Sequence, residues 1–399
     1  MTFLSIAALI LLVLILWFTL DFMIGYKKHI RQQGIKCYPR YKGKLTLFSD
    51  GRNLYDHYFS DLRQAQHSLK IQFYIVKNDA ISSEFLDILT ERASNGVTVR
   101  LLMDWAGSLK VNKKAIRRLK DAGAEVTYSH KPKLPFLFFT LQARNHRKIT
   151  IIDGHIGYIG GFNIGKEYIG NDPKFGYWRD YHLKVEGKSV EDMLDQFNQD
   201  WKLAAGEKLK PYVQPELYEE EQMEHQFLCT NGKELDKIFT RIIKETEQEL
   251  IICTPYFVPS NGLMEELEHA LSRGVAVKII VPMKTDHLLV REAAFPFFGR
   301  LLLKGCQIYR FYQGFYHAKV VVADRKVCDL GTANFDKRSL YLNDEINCFI
   351  YDMPFIDNIL EQIEKDMERS ELYTIEAFQK RPLLARGKEM IAGMVSRFL

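Results

Sequence analysis

The chain has 399 residues, 47% of them hydrophobic, enough to bury one large core or two medium ones. Its 55 Lys and Arg against 50 Asp and Glu leave a formal charge of +5, too weak a bias to argue for a nucleic-acid partner. The six cysteines (Cys37, Cys229, Cys253, Cys306, Cys328, Cys348) are scattered without a C-x-x-C pair, so they read as buried free thiols of a reducing compartment rather than as disulfides or a zinc site.

Residues 3–20 (FLSIAALILLVLILWFTL) are apolar apart from Ser5 and Thr19, and Asp21 follows. A run of this length, at about 1.5 Å per residue, nearly crosses a hydrocarbon core of roughly 30 Å. It predicts a transmembrane anchor over residues 3–24 with Asp21 close to one interface. A cleaved signal peptide fits less well, because no Lys or Arg precedes the run, the run is long, and no A-x-A site ends it. Lys27, Lys28, Arg31, Lys36 and Arg40 all lie on the C-terminal flank. The positive-inside rule then puts the N-terminus outside and the rest of the chain on the cytoplasmic side of a cell membrane.

After a polar stretch to about residue 45, strand-like and helical runs alternate, the mark of an α/β fold. Residues 68–76 read as a strand, 84–93 as an amphipathic helix and 97–103 as a second strand. The order returns as a strand over 249–258, a helix over 262–272 and a strand over 275–281. Both helices end at a glycine turn, Asn95-Gly96 and Arg273-Gly274. The polar link over 202–226, with Pro211 and Pro215, separates tandem domains over 45–205 and 227–380. Residues 381–399, with Lys388 and Arg397, form an amphipathic segment expected to pack on the domain rather than to reach lipid.

The strongest signal is a pattern that occurs twice. His146, Lys148, Asp153, Gly160 and Asn163 recur at the same spacing as His317, Lys319, Asp324, Gly331 and Asn334, 171 residues on. One such triplet arises by chance easily enough; two copies matched at five positions point to a duplicated domain with one composite site built from two half-sites. Both motifs sit in strand-like text, KITIID and KVVVAD, where alternation would place His and Lys on one face. The halves differ in length: 72 residues run from Tyr74 to His146, but 61 from Tyr256 to His317. The extra length includes the apolar run 132–141 (PKLPFLFFTL), which reads either as a buried strand or as a loop dipping into a membrane interface. A similar text, AAFPFFGRLLLK, covers 293–304.

A phosphodiester repels nucleophiles with its own charge, so cleaving it without metal needs a neutral nucleophile, cations for the oxygens and an acid for the leaving alkoxide. Two imidazoles meet the first and third needs, one attacking phosphorus and the other moving protons. Lys148 and Lys319 would supply charge to the non-bridging oxygens, and Asn163 and Asn334 neutral phosphate-binding donors. Each histidine also needs an acid to fix its tautomer, and Asp180 and Glu345, downstream of the two motifs, are the candidates. Asp153 and Asp324 close strands before turns, where capping the turn is their natural role. His155 and His182 lack a duplicate and read as packing residues, although His182 could line the site. The glycines over 157–165 lack the ordered G-x-G-x-x-G spacing of a dinucleotide site.

HRKITIID with GGFN, and HAKVVVAD with GTANFDKRS, resemble the paired motifs of the phospholipase D superfamily. Within it, the N-terminal apolar segment, WRDYHLKVEG and GTANFDKRSLYLNDE are similar to bacterial cardiolipin synthases, over nearly the whole chain from about residue 40. The resemblance implies two tandem phospholipase D-like α/β domains forming one pseudo-two-fold active site, and no metal or other cofactor. It implies that two phosphatidylglycerols become cardiolipin and glycerol through a phosphatidyl-histidine, with His146 as nucleophile and His317 as acid/base. It also keeps Asp153 and Asp324 among the catalytic motif residues. The partners implied are phosphatidylglycerol and membrane lipid. This chain has one apolar segment where many members have two.

Three other functions compete. A hydrolytic phospholipase D would use the same motifs with water as acceptor, and acceptor choice depends on pocket shape and water exclusion. A membrane-anchored nuclease would call for a basic groove that the near-neutral charge does not provide. A non-catalytic scaffold would be expected to have lost a motif histidine or lysine, and both halves are intact.

Overall fold

The computed structural model describes residues 3–32, 34–209, 223–286, 289–382, 387–389 and 392–393. Most of the expected link between the halves, including Pro211 and Pro215, lies outside the described residues, as does most of the expected C-terminal segment. The N-terminus forms one helix, α1 (Phe3–Gln32), with no proline in it and no glycine before Gly25. Within its stretch Ser5–Arg31 an 18-residue window has a mean hydropathy of 2.6, and the helix is apolar and long enough to cross a membrane.

The first half then runs β1 (Lys36–Asp50), α2 (Gly51–Gln64), β2 (Ser68–Phe73), α3 (Ala80–Ser94), β3 (Thr98–Asp104), α4 (Lys113–Asp121), β4 (Glu125–Ser129), α5 (Leu137–Gln142), β5 (Ile149–Ile152), β6 (Ile156–Gly160), β7 (Trp178–Glu186) and α6 (Val190–Ala205). The second half runs β8 (Met223–Asn231), α7 (Leu235–Glu245), β9 (Glu249–Cys253), α8 (Asn261–Ser272), β10 (Ala276–Pro282), α9 (Val290–Leu302), β11 (Gln307–Phe311), β12 (Phe315–Tyr316), β13 (Val320–Ala323), β14 (Val327–Gly331), α10 (Lys337–Tyr341), β15 (Asp344–Ile350), α11 (Met353–Glu368), β16 (Ser370–Tyr373) and α12 (Ile375–Gln379).

The sheet repeats itself. In the first half the order is β1-β7-β6-β5-β2-β3-β4, and in the second β8-β15-β14-β13-β9-β10-β11 with β16 at the edge. The strands joined by helical crossovers pair in parallel, β2 with β3 and β9 with β10. The motif strands β5 and β13 pair antiparallel to β2 and β9. Residues 36–44, expected to be a polar connector before the first domain, are instead part of β1. This strand pairs with β8 through its first part and with β7 through its last, so it joins the two halves. Its length outweighs its charged text, because each end finds a ladder partner. By contrast β9 stops at Cys253, short of the expected residue 258, since Pro255 has no N–H for the ladder.

Strand alternation divides each sheet between two cores. Ile149 and Ile151 join Val320, Val322 and Ile346 in a core shared by both halves, together with Phe197 and Trp201 of α6 and Ile359 and Ile363 of α11. The opposite faces, Ile152 in one half and Val321 and Ala323 in the other, enter two separate outer cores under α2 and α3 and under α7 and α8. Each buried Ile or Val contributes on the order of 1.5–3 kcal/mol, so the shared core locks the two half-sites together.

Residues 132–141 form neither a buried strand nor an extended loop throughout: the run ends in α5, packed against the lower part of α1. Phe138 packs edge-on to Phe18 with ring centroids 4.8 Å apart, and Phe139 lies 5.9 Å from Phe22. The N-cap residue of α5, Phe136, makes no side-chain cap. Asp21 of α1 supplies one, its Oδ1 accepting the N–H of Phe139 at 2.8 Å. That explains an acid at the end of an apolar helix. The other apolar text, 293–304, is mostly helix α9, which buries Ala294, Phe295 and Phe298 in the second outer core. Five of the six cysteines are buried free thiols and Cys37 is exposed.

Candidate active site

The motif strands begin only at Ile149 and Val320, so His146, Lys148, His317 and Lys319 precede them rather than lying within them. Their backbone is committed elsewhere. The His146 N–H donates to the Asp344 carbonyl at 2.9 Å, and the His317 N–H to the Arg179 carbonyl at 2.7 Å. Each histidine is thus held by the other half, one residue before that half's candidate acid.

The side chains cross in the same way. His146 Nδ1 lies 2.9 Å from Oε2 and 3.0 Å from Oε1 of Glu345, and His317 Nδ1 lies 2.5 Å from Oδ2 of Asp180. Each acid serves the histidine of the opposite half. A carboxylate accepts, so Nδ1 carries the proton in both rings and Nε2 keeps the lone pair. His317 Nδ1 also lies 2.6 Å from Lys319 Nζ, but that nitrogen cannot donate and accept at once. With Asp180 ionised, the Nδ1–H donates to the carboxylate, and Lys319 turns to Asp180 and to the His317 carbonyl.

The carboxylates are fixed differently in the two halves. Glu345 accepts from Thr332 Oγ1 at 2.6 Å and from Ser339 Oγ at 2.7 Å. The position matching Thr332 is Gly161, where a Cβ would stand 2.0 Å from Asp180 Oδ1. The glycine therefore makes room for the shorter acid, which accepts from the Tyr181 N–H at 2.8 Å. Burial alone would raise both carboxyls. His146 and Lys148 bring Glu345 below its ordinary range, and Lys319 and His317 do so for Asp180.

Both imidazoles are lowered. Burial is the main cause for each, with Lys148 adding to it at His146 and Lys319 at His317, which falls to about 4. His146 and His317 keep 8% and 7% of their surface exposed, against 1% and 3% for Lys148 and Lys319. The histidines are therefore reachable while the lysines lie beneath them. Burial, then the charge of Lys319, brings Lys148 down to about 7. Tyr74 packs edge-on to His146 with centroids 5.0 Å apart, and Trp178 lies 5.0 Å from His317.

Asn163 and Asn334 are buried and fixed by neighbours: Asn163 Oδ1 accepts the Ile75 N–H at 3.0 Å, and Asn334 Nδ2 donates to Asp336 at 3.1 Å. Asp153 and Asp324 stand at the far ends of the motif strands, away from the histidines. Asp153 accepts the N–H groups of Gln66, His67 and Ser68, each at 2.7 Å, and Asp324 those of Glu247, Gln248 and Glu249 at 2.8–2.9 Å. They cap the entries to β2 and β9 and place no atom on the histidines. Asp153→Ala is accordingly expected to cost about 1–3 kcal/mol of stability by orphaning these donors. Its folded fraction should keep a near-normal rate per active site. Urea unfolding alongside active-site titration checks both, and normal stability with lost activity would restore a catalytic role.

His182 is a packed neutral histidine, lowered to about 3 by burial, with Phe162 6.1 Å away. Sequence reasoning missed Arg147, which is fully buried between the two motif residues. It pairs with Asp200 of α6 at 2.7 Å and donates to the carbonyls of Thr230 at 2.8 Å and Glu345 at 3.1 Å. A buried guanidinium costs several kcal/mol unless so paired, so Arg147 fixes the first motif against β8 and β15. The signal was present in the motif itself, HRK in one copy and HAK in the other.

Residues 58–201 and 239–369, one segment in each half, match the family described as cardiolipin synthase, PLD-like domain. The chain is 43% identical over 393 residues to the minor cardiolipin synthase ClsB of Bacillus subtilis, covering 98% of each. It is 36% identical over 363 residues to the major cardiolipin synthase ClsA of the same organism, covering 89% of this chain and 75% of that one. Among solved structures, phosphatidylserine synthase of Haemophilus influenzae shares the fold with a TM-score of 0.74 at 15% identity, over 91% of this chain and 97% of that one. With its doubled fold, its crossed histidine–carboxylate pairs and these relatives, the chain belongs to the cardiolipin synthase family of phospholipase D-like proteins.

Proposed function

We propose that the protein is a cardiolipin synthase, transferring a phosphatidyl group from one phosphatidylglycerol to another through a phosphohistidine and releasing glycerol. The observation that carries this reading is the crossed pair, which leaves two imidazoles with Nδ1 committed and Nε2 reactive. In the first step His146 Nε2 bonds to phosphorus, the bond to the glycerol oxygen breaks, and His317 gives that oxygen its proton. In the second step His317 takes the proton of the acceptor's hydroxyl, whose oxygen bonds to phosphorus as the bond to His146 breaks. Two phosphatidylglycerols give one cardiolipin and one glycerol.

The charge state fits this cycle. Burial keeps both imidazoles neutral at pH 7, as a nucleophile and a base must be. An arriving phosphodiester anion favours the imidazolium at His317 and full charge on Lys148 and Lys319, so the acid's proton enters with the donor lipid. Asn163 and Asn334 are assigned to the phosphate oxygens. α1 is the anchor, with the catalytic halves on the cytoplasmic side beside Lys27, Lys28 and Arg31. α5 and its approach lie at the interface: Leu134 and Leu141 are exposed, and Lys28 Nζ lies 5.8 Å over the Phe136 ring. α5 ends four residues before His146, which puts the nucleophile close to the lipid surface.

The deciding experiment incubates the full-length protein with phosphatidylglycerol vesicles and resolves the products. Cardiolipin and glycerol in equal amounts are expected. Phosphatidic acid as the sole lipid product would turn the assignment to a hydrolase.

A further inference from the structure

The second half carries a cleft that Tyr256 separates from His317. Tyr256, Phe257, Asp286 and Phe298 form its walls, Lys284 stands exposed at its mouth, and its cavity volume is small, about 30 Å³. The Tyr256 ring meets the His317 ring edge-on with centroids 6.4 Å apart, and its hydroxyl donates to Asp286 Oδ2. Burial, then Asp286, keeps the Tyr256 phenol protonated. The Asp286 charge also reaches His317, where it favours the imidazolium.

The corresponding place in the first half is filled differently. Asp286 lies ten residues past Ala276, the start of β10, and ten residues past Thr98, the start of β3, stands Ser108. Ser108 Oγ is spent on the backbone, accepting the Val76 N–H at 3.1 Å and donating to the Tyr74 carbonyl at 3.2 Å. The first half does hold a buried carboxylate close to Tyr74, Asp104, but it is committed to the Arg144 guanidinium and to the backbone N–H groups of Asn145, Ala106 and Gly107.

We infer that this cleft is a polyol subsite, in which Asp286, steadied by Tyr256, accepts a hydrogen bond from the glycerol hydroxyl next to the reacting one. The inference rests on the transferase reading above and extends it to the choice of alcohol. In both steps the alcohol oxygen lies opposite His146, on the His317 side, so one subsite serves the departing glycerol and the arriving headgroup. The reacting hydroxyl gives its proton to His317 and its oxygen to phosphorus. Its neighbour keeps its proton and donates to Asp286. Water and simple alcohols have no such second hydroxyl, so the carboxylate favours a diol over them. Lys284 at the mouth faces the phosphate of the acceptor lipid.

The test reads a partition, because a ratio of products from one phosphohistidine cancels any effect on its formation. Full-length protein is incubated with phosphatidylglycerol vesicles containing ethanol, and cardiolipin is measured against phosphatidylethanol. Asp286→Asn is expected to lower this ratio by roughly 10- to 100-fold, the worth of a hydrogen bond to a charged group. Tyr256→Phe, which frees the carboxylate without removing it, should lower it less. An unchanged ratio in Asp286→Asn, or equal loss of both products, overturns the subsite. Wild-type protein that makes only phosphatidic acid overturns the transferase reading and the subsite with it.

Discussion

His146→Ala is expected to abolish turnover and covalent labelling together, whereas His317→Ala is expected to abolish turnover and leave the protein labelled. The difference follows from the proposed division of labour between two imidazoles that the fold holds almost alike. Without His146 there is no nitrogen to receive the phosphatidyl group, so no intermediate forms. Without His317 the intermediate forms slowly from phosphatidylglycerol, because glycerol leaves as an unprotonated alkoxide. A donor with an aryl leaving group needs no acid and should label His317→Ala readily. The label then persists, since nothing deprotonates the acceptor. Loss of general acid–base help is worth up to about 10⁴-fold in rate. The double variant should be little worse than His146→Ala, because the two groups act as a unit. Radiolabelled acyl chains and alkaline quenching, which preserves a phosphohistidine, give the measurement. Label trapped in His146→Ala and not in His317→Ala would reverse the roles, and near-normal rates in both would remove the composite site.

The motif positions were legible because spacing is a one-dimensional signal, and five residues repeated at one interval carry it. The partners of the histidines were not legible, because they depend on a contact between sequence positions 199 and 137 residues apart. Asp180 and Glu345 could be named as acids, but only the fold shows that each crosses to the opposite half. The same limit applies to β1: Lys36 to Gly43 shows no apolar alternation, and its strand is imposed by β8 beside it. The helix α1 was readable from composition, whereas the purpose of Asp21 depends on where α5 packs. Asp153 and Asp324 illustrate the converse. Membership in a motif marks what the fold repeats, and here the repeated aspartates cap loops at the far ends of the motif strands.

The two half-sites share a backbone frame and differ in what surrounds it. Arg147 is bound to Asp200 on one side, whereas its counterpart, Ala318, is a small buried residue. Arg179 supplies the equivalent tie on the other side, pairing with Asp366 of α11 at 2.7 Å. Each arginine lies next to a backbone group that crosses the pseudo-two-fold, so the crossing is held by ion pairs at the same depth as the histidines. Such a frame tolerates different side chains in its two pockets, which the proposed mechanism divides between the donor with the nucleophile and the alcohol.

Glu345→Gln should slow formation of the phosphohistidine, and Asp180→Asn should slow its resolution, each by about 10²- to 10⁴-fold. An amide in place of either carboxylate can donate to Nδ1, which moves the ring proton to Nε2. On His146 that blocks the lone pair that must attack phosphorus. On His317 it blocks the base that must accept the hydroxyl proton. Asp180→Asn also leaves Lys319 buried without its carboxylate, which favours the neutral amine and weakens phosphate binding. Rapid-quench kinetics with a labelled donor bearing an aryl leaving group, which needs no acid, separates the steps: Glu345→Gln should lose the burst of labelled protein, whereas Asp180→Asn should keep the burst and lose the steady rate. The assignment is sharp because Asp180 and His146 belong to one half and Glu345 and His317 to the other. If each acid served the histidine of its own half, Asp180→Asn would lose the burst and Glu345→Gln would keep it.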